Sequence, residues 1–487
     1  MKNIYLPILL IISVILPIQA KNNPDSWIHV FSTENGKTRV VSAHSDSIVG
    51  ISYDGKGSDG SYSKMIYEYV KNGGEKSATI DMSLIDSVEV GANVPLLIIN
   101  TTKDMTEIQS KENYEDMTLE VKGYGVYDDL APYAGTIKGR GNSTWAQFPK
   151  KPYRLKFPKK VSLCGLTKAK SYVLLANYID PTLLRNAIAF KVGEMLGVPY
   201  TNHSVPVNII FNGIEKGAYQ LSEKIGFNDA SLPIKDEEGI LFCLDQDNID
   251  EQYNATSSVY GVKYMVKDPD FAEVETATGE SAQSQWTKWR NDFNQFESAI
   301  KNGDLHKYLD VESLVDYLFV YNLTCNQELN HPKSVYIYKE HIDSVYKIGP
   351  LWDFDWAYTF GGNYEEGAKS ASTYLINFER NGSNFFYGMM TNSYIANEVK
   401  TLYKQKWEDF KKRLPELWEF IDEYAHTVKV SAAENGVLWP SEVTNSQNRR
   451  IGSTDIYPTH IKNLKNWLEQ RIAFIDSDSS RNFGLYK

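Results

Sequence analysis

Alternation of apolar and polar positions at period two dominates the first part of the chain. Stretches at 27–31, 38–41, 47–53, 65–70 and 77–82 follow it and are separated by Gly, Ser and Asp, so residues 21–92 are expected to form a small β-module. Within it, Ser45-Asp46-Ser47-Ile48 and Ile85-Asp86-Ser87-Val88 suggest a loose internal similarity. A new strand begins at Pro95-Leu96-Leu97-Ile98-Ile99-Asn100, and residues 117–121 and 135–138 add further β structure. In Tyr153-Arg154-Leu155-Lys156-Phe157, apolar side chains alternate with two cations; a strand there buries one face and presents Arg154 and Lys156 on the other. Residues 171–176 read as a buried strand, and 205–211 with 217–221 as a hairpin about Asn212-Gly213, a strong turn signal.

The period then lengthens to that of helices. An amphipathic helix is expected over 182–196, opened by Asp180-Pro181 and closed by Gly197. Helices at 286–302 and 311–323, strands at 239–245, 335–339 and 345–351, and helices at 396–413, 415–430 and 459–475 complete the pattern, with 276–285 read as a polar loop. The fold class is therefore α+β, and 487 residues allow one large unit beside a smaller one.

Lys2, an apolar run over 4–18 broken by Pro7 and Pro17, and Gln19-Ala20 make residues 1–20 read as a signal peptide cleaved near Ala20. The mature protein is accordingly expected to be secreted, periplasmic or on the cell surface, with no transmembrane segment. A net charge of -11 argues against a nucleic-acid polymer as partner. Cys164, Cys243 and Cys325 have no zinc-site spacing and read as buried structural thiols.

Candidate chemistry centres on Gly349-Pro350-Leu351-Trp352-Asp353-Phe354-Asp355-Trp356. In extended backbone Asp353 and Asp355 share a face, and two acids among tryptophans need a counter-charge, either a metal ion or Arg/Lys. Lys138-Gly139-Arg140-Gly141-Asn142-Ser143-Thr144-Trp145 has the composition of an anion-binding turn or of a plain hairpin. Arg154 and Lys156 are candidates to hold phosphates, whereas Lys150, Lys151 and Lys159 read as solvated. Asp180 and Arg185 are open to a structural pair or to ligand contact. Glu223 is read as orienting Arg154 or Lys156, against a surface salt bridge. Cations facing phosphate and acids facing a divalent metal are what phosphoryl transfer requires, and hard oxygen ligands favour Mg²⁺ or Mn²⁺. No P-loop, His-Arg-Asp loop or Asp-Phe-Gly triplet is present.

These segments together resemble the CotH kinase family, spore coat protein H-like proteins with a divergent protein-kinase-like fold. The resemblance rests on Arg140-Gly141-Asn142-Ser143-Thr144-Trp145, Lys151-Pro152-Tyr153-Arg154-Leu155-Lys156-Phe157, Asn177 through Arg185-Asn186, Asn212-Gly213 through Glu223-Lys224, and Trp352-Asp353-Phe354-Asp355, and spans about 93–475. It implies a kinase-like domain over 93–487, with an antiparallel β-rich N-lobe and a helical C-lobe, preceded by the all-β module. It also implies ATP- and Mg²⁺- (or Mn²⁺-) dependent phosphorylation of Ser/Thr on a protein acceptor. The family's Trp-Asp-x-Asp motif falls on Asp353 and Asp355, and its Asn-x-Asp loop on Asn326-Gln327-Glu328, with Glu at the usual Asp position. Glu328 and Asp353 are then the implied catalytic residues, and Asp353, Asp355 and Glu328 the metal ligands. Arg140, Asn142, Arg154, Lys156 and Glu223 are assigned to the nucleotide. A catalytically inactive surface-binding or assembly protein of the same fold is the competing reading, favoured by Glu328 and by the scarcity of ATP outside the cytoplasm.

Overall fold

The computed structural model describes residues 27–34, 37–71, 74–103, 105–247, 249–361, 367–378, 380–440 and 457–487; the expected signal peptide and its cleavage point lie outside them. Six strands open this region: β1 (Trp27–Glu34), β2 (Lys37–His44), β3 (Ile48–Lys56), β4 (Tyr62–Lys71), β5 (Gly74–Asp81) and β6 (Ile85–Gly91). They form two antiparallel sheets, β2-β1-β6 and β3-β4-β5, around Val30, Met65 and Ile80. The internal similarity is real in form but in a different register. Each half runs strand, one 3-10 turn, strand, with the turns at Ser45–Ser47 and Met82–Leu84. His44 and Asp81 cap these turns, each accepting the N–H two residues on. Ile48 therefore corresponds to Ile85 rather than to Val88.

The next strands are β7 (Leu96–Thr101), β8 (Glu115–Lys122), β9 (Leu130–Gly139), β10 (Tyr153–Val161), β11 (Ala169–Leu175), β12 (Val205–Phe211) and β13 (Ile214–Glu223), with helix α1 (Ser143–Gln147) after β9 and α2 (Arg185–Leu196) after β11. The expected antiparallel N-lobe is instead a closed seven-stranded barrel, β10-β11-β13-β12-β7-β8-β9. One pair in it is parallel, β7 with β12, with Leu96 opposite Asn208. Alternation fixes which face a residue takes but not which strand lies beside it, so closure is not written in the pattern. The faces themselves follow it: Leu97, Leu119, Ile137, Leu155, Tyr172 and Leu221 are fully excluded inside the barrel. Arg154 is half-buried and Lys156 exposed on the outside.

A mixed region follows: β14 (Ile240–Leu244), β15 (Asn254–Thr256), β16 (Lys263–Asp268), α3 (Phe271–Thr278), α4 (Ala282–Asn302), α5 (Val311–Leu323), β17 (Val335–Lys339) and β18 (Lys347–Ile348). Its sheet runs β15-β16-β14-β17-β18. Helices α6 (Asn381–Thr391), α7 (Ala396–Lys412), α8 (Leu414–Leu438) and α9 (Tyr457–Ser477) complete the α+β architecture. Almost every side chain of α5 is buried, which makes it the axis of the largest core. Helix α8 packs on β13 of the barrel and β2 of the first module. Across that junction Lys71 pairs with Glu434 at 3.4 Å and with Glu215 at 3.1 Å.

Three expectations need correction. The polar stretch 276–285 is not one loop: it holds the end of α3, a short link at 279–281 and the start of α4, where Ser281 accepts the Ser284 N–H as a cap. The strand expected over 345–351 is only Lys347–Ile348, and the chain leaves the sheet before the paired acids. Lys150 is fully buried rather than solvated; it donates to Ala218 O and, at 2.7 Å, to Asn435 Oδ1, bridging the barrel to α8. Cys164, Cys243 and Cys325 are buried free thiols. No helix among the described residues is long and apolar enough to cross a membrane.

Candidate active site

Asp353 and Asp355 lie on a pinned loop, not on the extended backbone expected of them. Asp353 has φ 64°, a conformation costly for an L residue, and Asp355 begins a turn. Several elements hold this shape. Asn186 in α2 accepts the Phe354 N–H at 2.9 Å and donates to Asp355 Oδ1 at 3.0 Å. Arg185 donates to Asp355 O at 2.8 Å. Asn326 donates to Asp353 O at 2.9 Å, and the Tyr321 hydroxyl of α5 reaches Trp352 O at 3.3 Å. Arg185 also lies 3.7 Å from Asp180, which accepts its backbone N–H. That buried pair is a support for the loop. It also explains why α2 starts at Arg185 rather than Thr182: Asp180 captures the Thr182 and Arg185 N–H groups in a turn, with Leu183 at φ 61°.

Glu328 approaches the same loop from a 3-10 turn, Gln327–Asn330, whose first residue follows the cap Asn326. Glu328 is 8% exposed and its Oε2 has no hydrogen-bond partner. Burial, then the charge of Asp353, push its carboxyl well above the ordinary range, with Lys333 opposing and Asp355 and Asp245 adding to the rise. Asp355 is pushed up to about 7 by burial and by the neighbouring Asp353 and Asp180. Asp353 is raised by burial, against Arg140, a hydrogen bond from Ser334 and Lys333. Burial is thus the first cause of the rise in all three acids, and Glu328 and Asp355 also feel the charge of Asp353.

Arg140, just past the end of β9, brings a cation to these acids. Its guanidinium lies 5.5 Å from the centre of the Trp352 ring and within electrostatic reach of Asp353 and Asp355. Burial draws it down from its ordinary value, and Asp353 opposes this most. Register explains what lies beyond it. Residues directly opposite across a sheet share a face, and Arg154 stands opposite Lys138 on β9 and Val173 on β11. Lys138, Arg154 and Lys156 therefore line the outer face of the barrel. Lys138 and Lys156 flank the Tyr114 ring at 5.0 and 5.9 Å. The buried Arg154 Nε makes no hydrogen bond. Lys224, 4.0 Å from Asp268, adds to the positive field around Arg154.

The same register removes Glu223 from this group. Glu223 pairs with Tyr172, which pairs with Leu155, so its side chain takes the barrel's inner face. It accepts from the His203 backbone at 2.9 Å and lies 2.7 Å from His203 Nδ1, and so does not orient Arg154 or Lys156. Asn142 stands just before α1, where Lys111 donates to its Oδ1 at 3.2 Å. Gly139 is required here because a β-carbon would collide with the Trp145 ring. Sequence reasoning left Asn186, Ser334 and Lys333 without a role. Asn186 could have been found from its place beside Arg185 on the first turn of α2, and Ser334 and Lys333 from their place at the end of the polar segment 326–334 that follows α5. Lys333 lies 5.2 Å from the Trp356 ring centre and pairs with Asp247 at 2.6 Å.

Among the described residues no three His, Cys, Asp or Glu side chains form a ready-made metal cage. A Mg²⁺ ion is commonly held by one or two carboxylates together with substrate phosphates and water. The unpartnered Glu328 Oε2 and the crowded charge of Asp353 and Asp355 suit that incomplete kind of site. A family model described as CotH kinase protein matches residues 137–475, most of the chain. No curated protein sequence matches it.

Proposed function

The chain belongs to the CotH kinase family, and we propose that it is an exported kinase, with a divergent protein-kinase-like fold over 93–487, that transfers the γ-phosphoryl group of ATP to Ser/Thr hydroxyls of a surface or secreted protein. The observation that carries this reading is the position of Arg140, over the Trp352 ring and within electrostatic reach of Asp353 and Asp355, with Arg154 and Lys138 beyond it. Acids and cations adjoin in the order that a metal-bound polyphosphate needs. Asp353 and Asp355 would hold the divalent cation, which neutralises charge on the phosphate oxygens during transfer. Arg140, Arg154 and Lys156 hold the phosphates, and Asn142 stands at the turn beside them. Glu328 completes the acid set or takes the proton of the acceptor hydroxyl.

Residues 1–20 serve on this reading as the export signal, and 21–92 as a β-module that places the enzyme against its partner. Incubation with γ-labelled ATP, Mn²⁺ or Mg²⁺ and surface-protein acceptors tests the proposal; transfer is expected, and is lost in Asp353→Ala. Absence of transfer, together with equal nucleotide binding by wild type and Asp353→Ala, overturns it. The second reading, an inactive binding or assembly protein, draws on the apolar side chains that the β-module leaves exposed, Val49, Val70 and Val90 among them. Under it, a partner stabilises the protein against heat and Mg²⁺-ATP does not.

A further inference from the structure

Beside the acid loop lies a lysine not yet given a role. Lys369 is 9% exposed, and its ammonium donates to Cys325 O at 2.9 Å and Trp356 O at 2.6 Å. These carbonyls are not arbitrary. Cys325 immediately precedes Asn326-Gln327-Glu328, and Trp356 immediately follows Asp355. One cation therefore ties together the two separate segments that carry the site's three acids.

Both segments need such a tie. Cys325, Asp353 and Tyr358 have φ of 49°, 64° and 56°, which L residues adopt only when their surroundings impose it. Lys369 is itself anchored from the far side. Its carbonyl accepts from Trp467 Nε1 of α9 at 2.9 Å, and Arg471 of the same helix donates to Asn322 O and Ala371 O, each at 2.9 Å. A continuous path of hydrogen bonds runs from α9 through Lys369 to the backbone beside Glu328 and beside Asp355.

We propose that Lys369 is a positioning residue that sets the separation of Glu328 from the Asp353/Asp355 pair, and through it the affinity of the site for a divalent metal-nucleotide complex. This rests on the reading of the site as one for metal and nucleotide. Groups that orient ligands from behind, without touching the metal, are typically worth about 10–100-fold in metal affinity.

The test uses the full chain as wild type, Lys369→Met, Lys369→Arg and Trp467→Phe, at temperatures where each is folded. Amide hydrogen exchange reports on residues 322–330 and 352–360, and Mn²⁺ electron paramagnetic resonance with ATP reports affinity. Lys369→Met is expected to lose protection in both segments together and to weaken Mn²⁺-ATP by about 10-fold or more. Lys369→Arg is expected to recover part of both. Trp467→Phe, which keeps a smaller aromatic ring but removes the N–H that the Lys369 carbonyl accepts, shifts both in the same direction by less. If Lys369→Met does not fold, Trp467→Phe decides alone, and unchanged exchange in that variant overturns the proposal. So does a lowered melting temperature with Mn²⁺-ATP affinity unmoved. If wild type binds no Mn²⁺-ATP while Lys369→Met still loosens both segments together, the nucleotide reading fails and the clasp stands.

Discussion

Asn186 and Asp355 are joined side chain to side chain at 3.0 Å, while the other end of the same amide takes the Phe354 N–H at 2.9 Å. One residue of α2 thus fixes both the backbone and the carboxylate of the acid loop. Asn186→Leu keeps the branching at Cγ but leaves the buried Phe354 N–H without an acceptor, at a cost of about 1–3 kcal/mol before any strain from the larger side chain. The expected outcome is a fall of at least that size in urea-unfolding stability, with weaker Mn²⁺-ATP binding in the folded variant.

Arg154 and Lys156 sit on the same strand and face but in different surroundings, so their substitutions should separate. Arg154 is half-buried with Nε unpartnered, whereas Lys156 is exposed and screened. Loss of a hydrogen bond from a charged group costs about 1.5–3 kcal/mol, and an exposed charge contributes about 0–1 kcal/mol. Calorimetric titration with ATP and Mg²⁺ should show Arg154→Ala weakened roughly 10-fold or more and Lys156→Ala only a few-fold. Glu223→Gln should leave nucleotide affinity unchanged, because its carboxylate is engaged with His203 on the other face.

Glu328 carries an unpartnered buried oxygen in a field already rich in acids. Glu328→Gln keeps the shape and removes the charge. Without metal, the variant should melt higher than wild type at pH 8, where the buried carboxylate costs most; with Mn²⁺-ATP the order should reverse. Differential scanning calorimetry with and without ligand reads both. Glu328→Asp, which brings the loop to the Asn-x-Asp pattern that the resemblance implies and shortens the side chain by one methylene, should raise transfer.

How much of this was legible in the sequence depends on which physical rule was in use. Period two placed Tyr153, Leu155 and Phe157 inside and Arg154 and Lys156 outside, because strand geometry alone decides faces. The helix expected over 311–323 matches α5 in both bounds, although its almost wholly buried surface leaves little contrast between faces. Neighbours were not legible: the parallel pairing of β7 with β12 joins residues more than a hundred positions apart. Glu223 was misjudged for the same reason, since its face follows from pairing with Tyr172 rather than from its place at a strand end. Lys150 read as solvated because its partners, Ala218 O and Asn435 Oδ1, come from distant elements. The acids at 353 and 355 were found as a pair, but their backbone, bent by Asn186 and Asn326, was not.

The first module should be the acid-labile part of the molecule, through His29. This residue is 2% exposed; Nε2 faces Ala92 O at 3.2 Å and Nδ1 faces Ser42 Oγ at 2.7 Å. A carbonyl only accepts, so Nε2 carries the proton and Nδ1 accepts from the serine hydroxyl. Protonation at Nδ1 would reverse the hydrogen bond to the serine hydroxyl and place a charge on a buried ring. Burial holds the His29 pKa down, from 6.5 to about 4, with Lys429 and His426 adding to the depression and the Ala92 carbonyl and Glu89 opposing it. A depressed folded-state pKa means that the contribution is fully present above pH 6.5 and is lost as pH falls toward 4. Its size is on the order of 3 kcal/mol. Urea unfolding at pH 7, 5.5 and 4, followed through Trp27 at the start of β1, should show wild type losing this increment on acidification. His29→Gln should be less stable at pH 7, and the gap to wild type should shrink by pH 4. A gap that stays constant with pH would mean that His29 does not remain neutral in the folded module.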